Sequence, residues 1–139
     1  MEKRPIASPD DRVFALVGED GPDASIDRGT VFLDAATGRV LSTLPDNYLE
    51  FKFSPDGRYV AALRQVTPGQ LLPELLSGSG TPIWTRPSYS GAGTVGQGPL
   101  RVDIAGSCVA FCGIRVTWSN GQAADTSALD VYALDGTRL

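Results

Sequence analysis

The stretch Phe51-Lys52-Phe53-Ser54-Pro55-Asp56-Gly57-Arg58-Tyr59-Val60-Ala61-Ala62-Leu63 decides the reading of the chain. On its N-terminal side, Tyr48 to Phe53 alternates, with Leu49, Phe51 and Phe53 on one face and Tyr48, Glu50 and Lys52 on the other. That is the period of a half-buried strand. Pro55 presets φ for a tight turn, the Asp56 side chain caps backbone N–H groups, and Gly57 accepts positive φ. Tyr59 to Leu63 is a continuous apolar run, as expected of an inner strand packed on both faces.

Working outward, the same grammar recurs. Ser8-Pro9-Asp10-Asp11-Arg12-Val13-Phe14-Ala15-Leu16 precedes its counterpart at Ser54 by 46 residues, and an eroded third copy runs from Ala105 through Gly106-Ser107-Cys108-Val109-Ala110 to Phe111. The second half of the unit repeats too. Thr30-Val31-Phe32-Leu33-Asp34-Ala35-Ala36-Thr37-Gly38-Arg39-Val40-Leu41 corresponds to Leu129-Asp130-Val131-Tyr132-Ala133-Leu134-Asp135-Gly136-Thr137-Arg138-Leu139, with a looser middle copy from Glu74 to Trp84. Each unit reads as short strands, here Tyr48–Phe53, Tyr59–Leu63, Thr30–Leu33 and Val40–Leu44, with turns between them. No stretch has a capped 3.6-residue period, so helices should be few or absent. The expected fold class is all-β, built of four-stranded antiparallel units at 1–45, 46–88 and 99–139; a β-sandwich with coincidental turn similarity is the alternative.

Phe51 to Ala62 resembles the strand–turn–strand signature of WD-repeat and TolB-type β-propellers, and Leu33 to Leu41 resembles the outer hairpin of WD-repeat and quinoprotein-like blades. With the third copy, the resemblance covers nearly the whole chain. It implies radial blades of four antiparallel strands, about three of them. The chain has neither the Gly-His nor the Trp-Asp dipeptide, so the buried polar network of a standard WD repeat is not implied. Rings usually need four to eight blades, so three cannot close. Two chains could pair into a six-bladed ring, other polypeptide could complete it, or the product could be truncated or degenerate. An open fan would expose apolar faces and sheet edges.

Composition narrows function. The 139 residues contain no histidine, which excludes Ser-His-Asp and Cys-His relays and removes the commonest transition-metal ligand. A pI near 4.7 opposes nucleic-acid binding. No apolar run approaches the ~20 residues of a membrane span, and Met1 to Asp10 lacks the apolar core of a secretory signal. Cys108 and Cys112, four apart on a strand, would lie ~13 Å apart, too far for a disulfide. They are expected to be buried structural thiols. Free thiols and the lack of an Asn-x-Ser/Thr sequon favour the cytoplasm.

Several motifs compete for a functional role. Gly91-x-Gly93-x-x-Gly96 matches a dinucleotide fingerprint in form, but Gln97-Gly98-Pro99 cannot open the helix that would receive the pyrophosphate, and an inter-blade loop is expected. Gly18 to Asp27 gathers four carboxylates without calcium-loop spacing and reads as a solvated loop. Asp10-Asp11 reads as turn chemistry. Trp84 is expected in core or inter-blade packing. Trp118, Arg115, Tyr89 and Arg86 are of types enriched at binding hot spots and are the candidate partner contacts. The expected function is therefore a non-enzymatic scaffold that binds a protein partner or self-associates through blade edges, with no catalytic residues, cofactor, metal, nucleic acid or membrane. The alternatives are an oligomeric propeller binding a small ligand or carbohydrate, and a fragment of a larger propeller protein.

Overall fold

A computed structural model gives the structure and describes residues 3–18, 29–67, 70–86 and 99–139. The described residues form eleven strands and no helix: β1 Lys3–Ala7, β2 Val13–Gly18, β3 Thr30–Asp34, β4 Val40–Leu44, β5 Asn47–Phe53, β6 Tyr59–Thr67, β7 Gln70–Ser77, β8 Pro82–Thr85, β9 Pro99–Ala105, β10 Cys108–Ser119 and β11 Gln122–Ala133. They make three antiparallel sheets in chain order, β1-β2-β3-β4, β5-β6-β7-β8 and β9-β10-β11. The third sheet continues through a Tyr132–Arg138 bridge, and Leu139 N–H donates to Val131 O, so the last residues begin a further pairing along β11.

The repeated turns are chemically the same. Ser8 Oγ donates to Asp10 Oδ1 at 2.7 Å and accepts from Val13 N–H at 3.0 Å, and Ser54 does the same with Asp56 and Tyr59 at the same distances. Each Asp also accepts from the backbone of Arg12 or Arg58. The fourth turn position has positive φ in both copies, 58° at Asp11 and 72° at Gly57. Asp is among the few side chains that tolerate this region. The eroded copy has lost the Ser–Asp bonds and closes β9 to β10 through the two residues Gly106-Ser107.

The outer turns repeat as well. Asp34 Oδ1 accepts from the backbone of Ala36 and Thr37, and Asp135 Oδ1 from that of Thr137. Ser77 Oγ takes the corresponding role towards Thr81 N–H.

The second sheet lies between the other two. One of its faces packs Tyr48, Phe51, Phe53, Val60, Ala62 and Leu76 against Ala15, Val17, Phe32 and Leu44 of the first sheet. The opposite face packs Ala61, Leu63, Leu71, Leu75 and Trp84 against Val102, Ile104, Val109, Phe111 and Tyr132 of the third. The apolar run Tyr59–Leu63 is therefore buried on two sides because β6 is the second strand of a covered sheet.

Three sequence expectations need correction. The unit at 99–139, expected to be four-stranded, has three strands among the described residues, because the residues after β11 contribute only the Tyr132–Arg138 bridge. The alternation through Tyr48–Phe53 breaks at a register shift between Tyr48 and Glu50. Tyr48 is buried beside Phe51 and Leu49 faces out, because a bulge adds one residue and flips the pleat. The thiols are not a buried pair: Cys108 is half-buried and Cys112 exposed. Val109 and Phe111 take the inward positions of β10, so the pleat turns Cys108, Ala110 and Cys112 outward.

Tyr48 reaches across its sheet to a buried carboxylate. Its hydroxyl donates to Glu74 Oε1 at 2.8 Å, Thr85 Oγ1 donates to Glu74 Oε2 at 3.1 Å, and Arg64 Nε lies 3.2 Å from the same oxygen. Burial and the Glu74 charge push the Tyr48 phenol far above its ordinary range, so it stays protonated and donating.

Replacing Tyr48 by Phe leaves Glu74 one donor short and should destabilise the protein by about 1–3 kcal/mol, read as a lower urea midpoint at unchanged slope. A second expectation concerns acid. The Ser8 and Ser54 hydroxyls hold the Asp10 and Asp56 carboxyls below the usual carboxylate range. A depressed folded pKa gives stability that is present above the unfolded value and is lost as pH falls through the folded one. The Ser8→Ala/Ser54→Ala variant should therefore be less stable than the wild type at pH 7, and the gap should narrow below about pH 4.

Candidate interaction surface

The pairing registers superimpose the three sheets residue by residue. On one face, here called leading, Ala15 lies opposite Phe32, Ala61 opposite Leu75 and Ala110 opposite Val131. On the other, trailing face run three equivalent cross-strand rows. They are Ala7–Phe14–Leu33, Phe53–Val60–Leu76 and Ile104–Val109–Tyr132.

Inside the stack, each leading face meets the next trailing face, and the second and third trailing rows are buried. The first trailing row is not. Phe14 is 42 % exposed and Leu33 half-buried, with Leu16 and Val31 half-buried beside them. The third leading face is likewise uncovered, with Ala110 and Val131 half-buried, Cys112 exposed and Leu129 66 % exposed. Apolar side chains thus occupy core positions of the repeat on two faces that have no covering sheet among the described residues.

The covered interface between the second and third sheets is fastened by Trp84 and Arg86. Trp84 packs at a tilt against Tyr132 with centroids 5.4 Å apart and edge-to-face against Phe111 at 6.3 Å, and its Nε1–H donates to Leu134 O at 3.0 Å. The Arg86 guanidinium lies over the Trp84 ring at 5.0 Å and donates to Gly136 O through Nη2 at 2.6 Å and Nε at 3.2 Å. Trp84 therefore lies between sheets, as its place in the repeat implied. Arg86, a candidate partner contact, directs its guanidinium to groups of its own chain.

At the inner strands the same interface carries two ion pairs, Lys52 Nζ to Asp103 at 2.7 Å and Arg101 to Glu50 at 2.6 Å. The Lys52 ammonium, its hydrogen bond first, lowers the Asp103 pKa.

The other candidates lie apart from this clamp. Arg115 and Trp118 fall on β10 beyond Gly113, where β10 and β11 continue as a two-stranded arm without β9. Its tip is an Asn120-Gly121 turn with φ of 52° and 74°, the positive pair that a type I′ hairpin requires. The Arg115 and Trp118 side chains, Tyr89, the glycine motif at 91–96 and the acidic loop from Glu19 to Asp27 lie outside the described residues. An open cleft of about 410 Å³ lies on the rim between the Asp10 and Asp56 turns, with Arg12, Arg58, Ser77 and Ser79 on its walls.

Sequence reasoning expected an open fan to expose apolar faces but did not name the residues they carry. The signal was available in the repeat alignment: Phe14 and Leu16 stand where Val60 and Ala62 do, and Ala110 where Ala15 and Ala61 do. The chain matches no known family model and no curated protein.

Truncating Arg86 to Ala removes the Gly136 bonds and the stacking on Trp84. It should cost about 1 kcal/mol, discounted for partial solvent screening, and shift the Trp84 fluorescence to the red in the native state.

Proposed function

We propose that the chain is a non-enzymatic repeat module of β-propeller type that acts as a protein-interaction scaffold. The observation that carries this reading is the row Ala7–Phe14–Leu33, which is apolar and uncovered where its two counterparts are core. An apolar face at a core position is costly to leave in water, so it marks a surface that functions when covered. The repeated turns, meander order and shared register support blades in place of a two-sheet sandwich, since each sheet packs its neighbour in the same sense. Many unrelated activities sit on propellers, so the functional part of the reading rests on the faces and not on the resemblance.

Trp118 and Arg115 on the β10–β11 arm, and Tyr89, are the proposed further contacts; Arg86 would contribute through the clamp that holds its sheet to the next. Among the described residues no helix is long and apolar enough to cross a membrane. The free thiols suit a reducing compartment, so the cytoplasm is proposed.

The test is the variant Phe14→Thr/Leu33→Thr, which places strand-favouring β-branched residues at both positions. Its urea midpoint should stay close to that of the wild type, because neither side chain is buried within the chain. At a concentration where the chain sediments singly, binding of the apolar dye anilinonaphthalene sulfonate should fall. Unchanged dye binding would mean that this face is an ordinary finished surface.

A further inference from the structure

We infer that the two uncovered faces belong to each other: the leading face of the third sheet in one copy covers the trailing face of the first sheet in a second copy, and two copies close a ring of six sheets. This rests on the interaction-scaffold reading and identifies its partner.

The argument is one of repeated positions. Two interfaces already exist within the chain, and both bring a leading face against a trailing face. In the first, Ala15 shares a core with Val60; in the second, Ala61 shares a core with Val109. The next step in the series pairs the leading Ala110 with a trailing residue at the Val60 position, and in this chain that residue is Phe14. Alanine occupies the same leading position in all three sheets, and its small side chain leaves room for the larger trailing residues. Ala15 and Ala61 are fully buried by that arrangement while Ala110 is half-buried.

Each chain therefore offers one leading and one trailing face, each unlike the other. Faces of this kind make a head-to-tail contact, which closes into a ring when the rotation allows and otherwise grows as a filament. The three sheets of the described residues fit such a closure: among rings of four to eight blades, six is a multiple of three. Closure also removes the exposed apolar faces that would drive open polymers.

The experiment uses the full chain and light scattering on a sizing column from about 1 to 200 µM. The expected species has twice the 14.7 kDa chain mass and no larger one grows in as concentration rises. Phe14→Glu and Ala110→Arg are then made separately, each checked for native β circular dichroism and an unchanged urea midpoint below the dissociation range. Either alone should abolish the dimer. Mixed in equal amounts they should restore it, because one interface is intact and the other sets Glu at 14 against Arg at 110.

Cys112, two residues from Ala110 on the same face, supplies a readout on the unmutated chain. Its labelling by a thiol reagent should slow by roughly tenfold between dilute and concentrated protein. A single-chain mass throughout, with dye still bound at Phe14, would overturn the second copy as occupant while keeping the interaction face. A mass that climbs without a plateau would overturn closure. A dimer that survives either substitution, or that only one of them breaks, would overturn the head-to-tail pairing in favour of a contact between like faces.

Discussion

The middle of β6, Val60 to Leu63, is covered on both faces. Val60 and Ala62 lie beneath the first sheet, Ala61 and Leu63 against the third, and all four are fully buried. A strand covered on both faces tolerates neither a slip in register nor a polar side chain, because a one-residue shift would exchange its two sets of contacts. The rest of the structure is arranged around that constraint. The aromatic residues Phe51 and Phe53 come from β5 on one side, and Trp84, Phe111 and Tyr132 gather on the other. The outer sheets acquire one covered and one open face as a consequence of flanking the middle one.

The turns keep this packing in register. A Ser hydroxyl that binds both its Asp and the backbone two residues past that turn fixes where the second strand begins, and it does so identically at Ser8 and Ser54. Where the third unit loses these residues, a two-residue Gly106-Ser107 closure does the same work with fewer bonds. Each outer turn uses a short polar side chain that accepts backbone N–H groups, Asp34 and Ser77 from the first residue of the turn and Asp135 from two residues further in.

Polar groups near the core are tied in pairs and networks. Glu74 is buried with donors from Tyr48 and Thr85 and the Arg64 guanidinium beside it, which keeps a desolvated carboxylate affordable. Arg86 binds the Gly136 carbonyl and lies over Trp84 and Tyr132, so the aromatic layer between the second and third sheets is closed from outside by a cation. Both devices join segments far apart in the sequence.

The sequence by itself determined the strand content, the turn chemistry and the repeat, because alternation and Ser-Pro-Asp turns act over a few residues and are written in adjacent positions. It also assigned Trp84 to core or inter-unit packing. It did not reveal that Leu49 faces out and Tyr48 in, since a bulge is set by the partner strand. Nor did it show that Cys112 is exposed, because an apolar run reads the same whether one or both faces are covered. Tertiary structure alone decided which faces are covered: Phe14 and Val60 occupy one position in the repeat, and only the presence or absence of a neighbouring sheet makes one a surface residue and the other core.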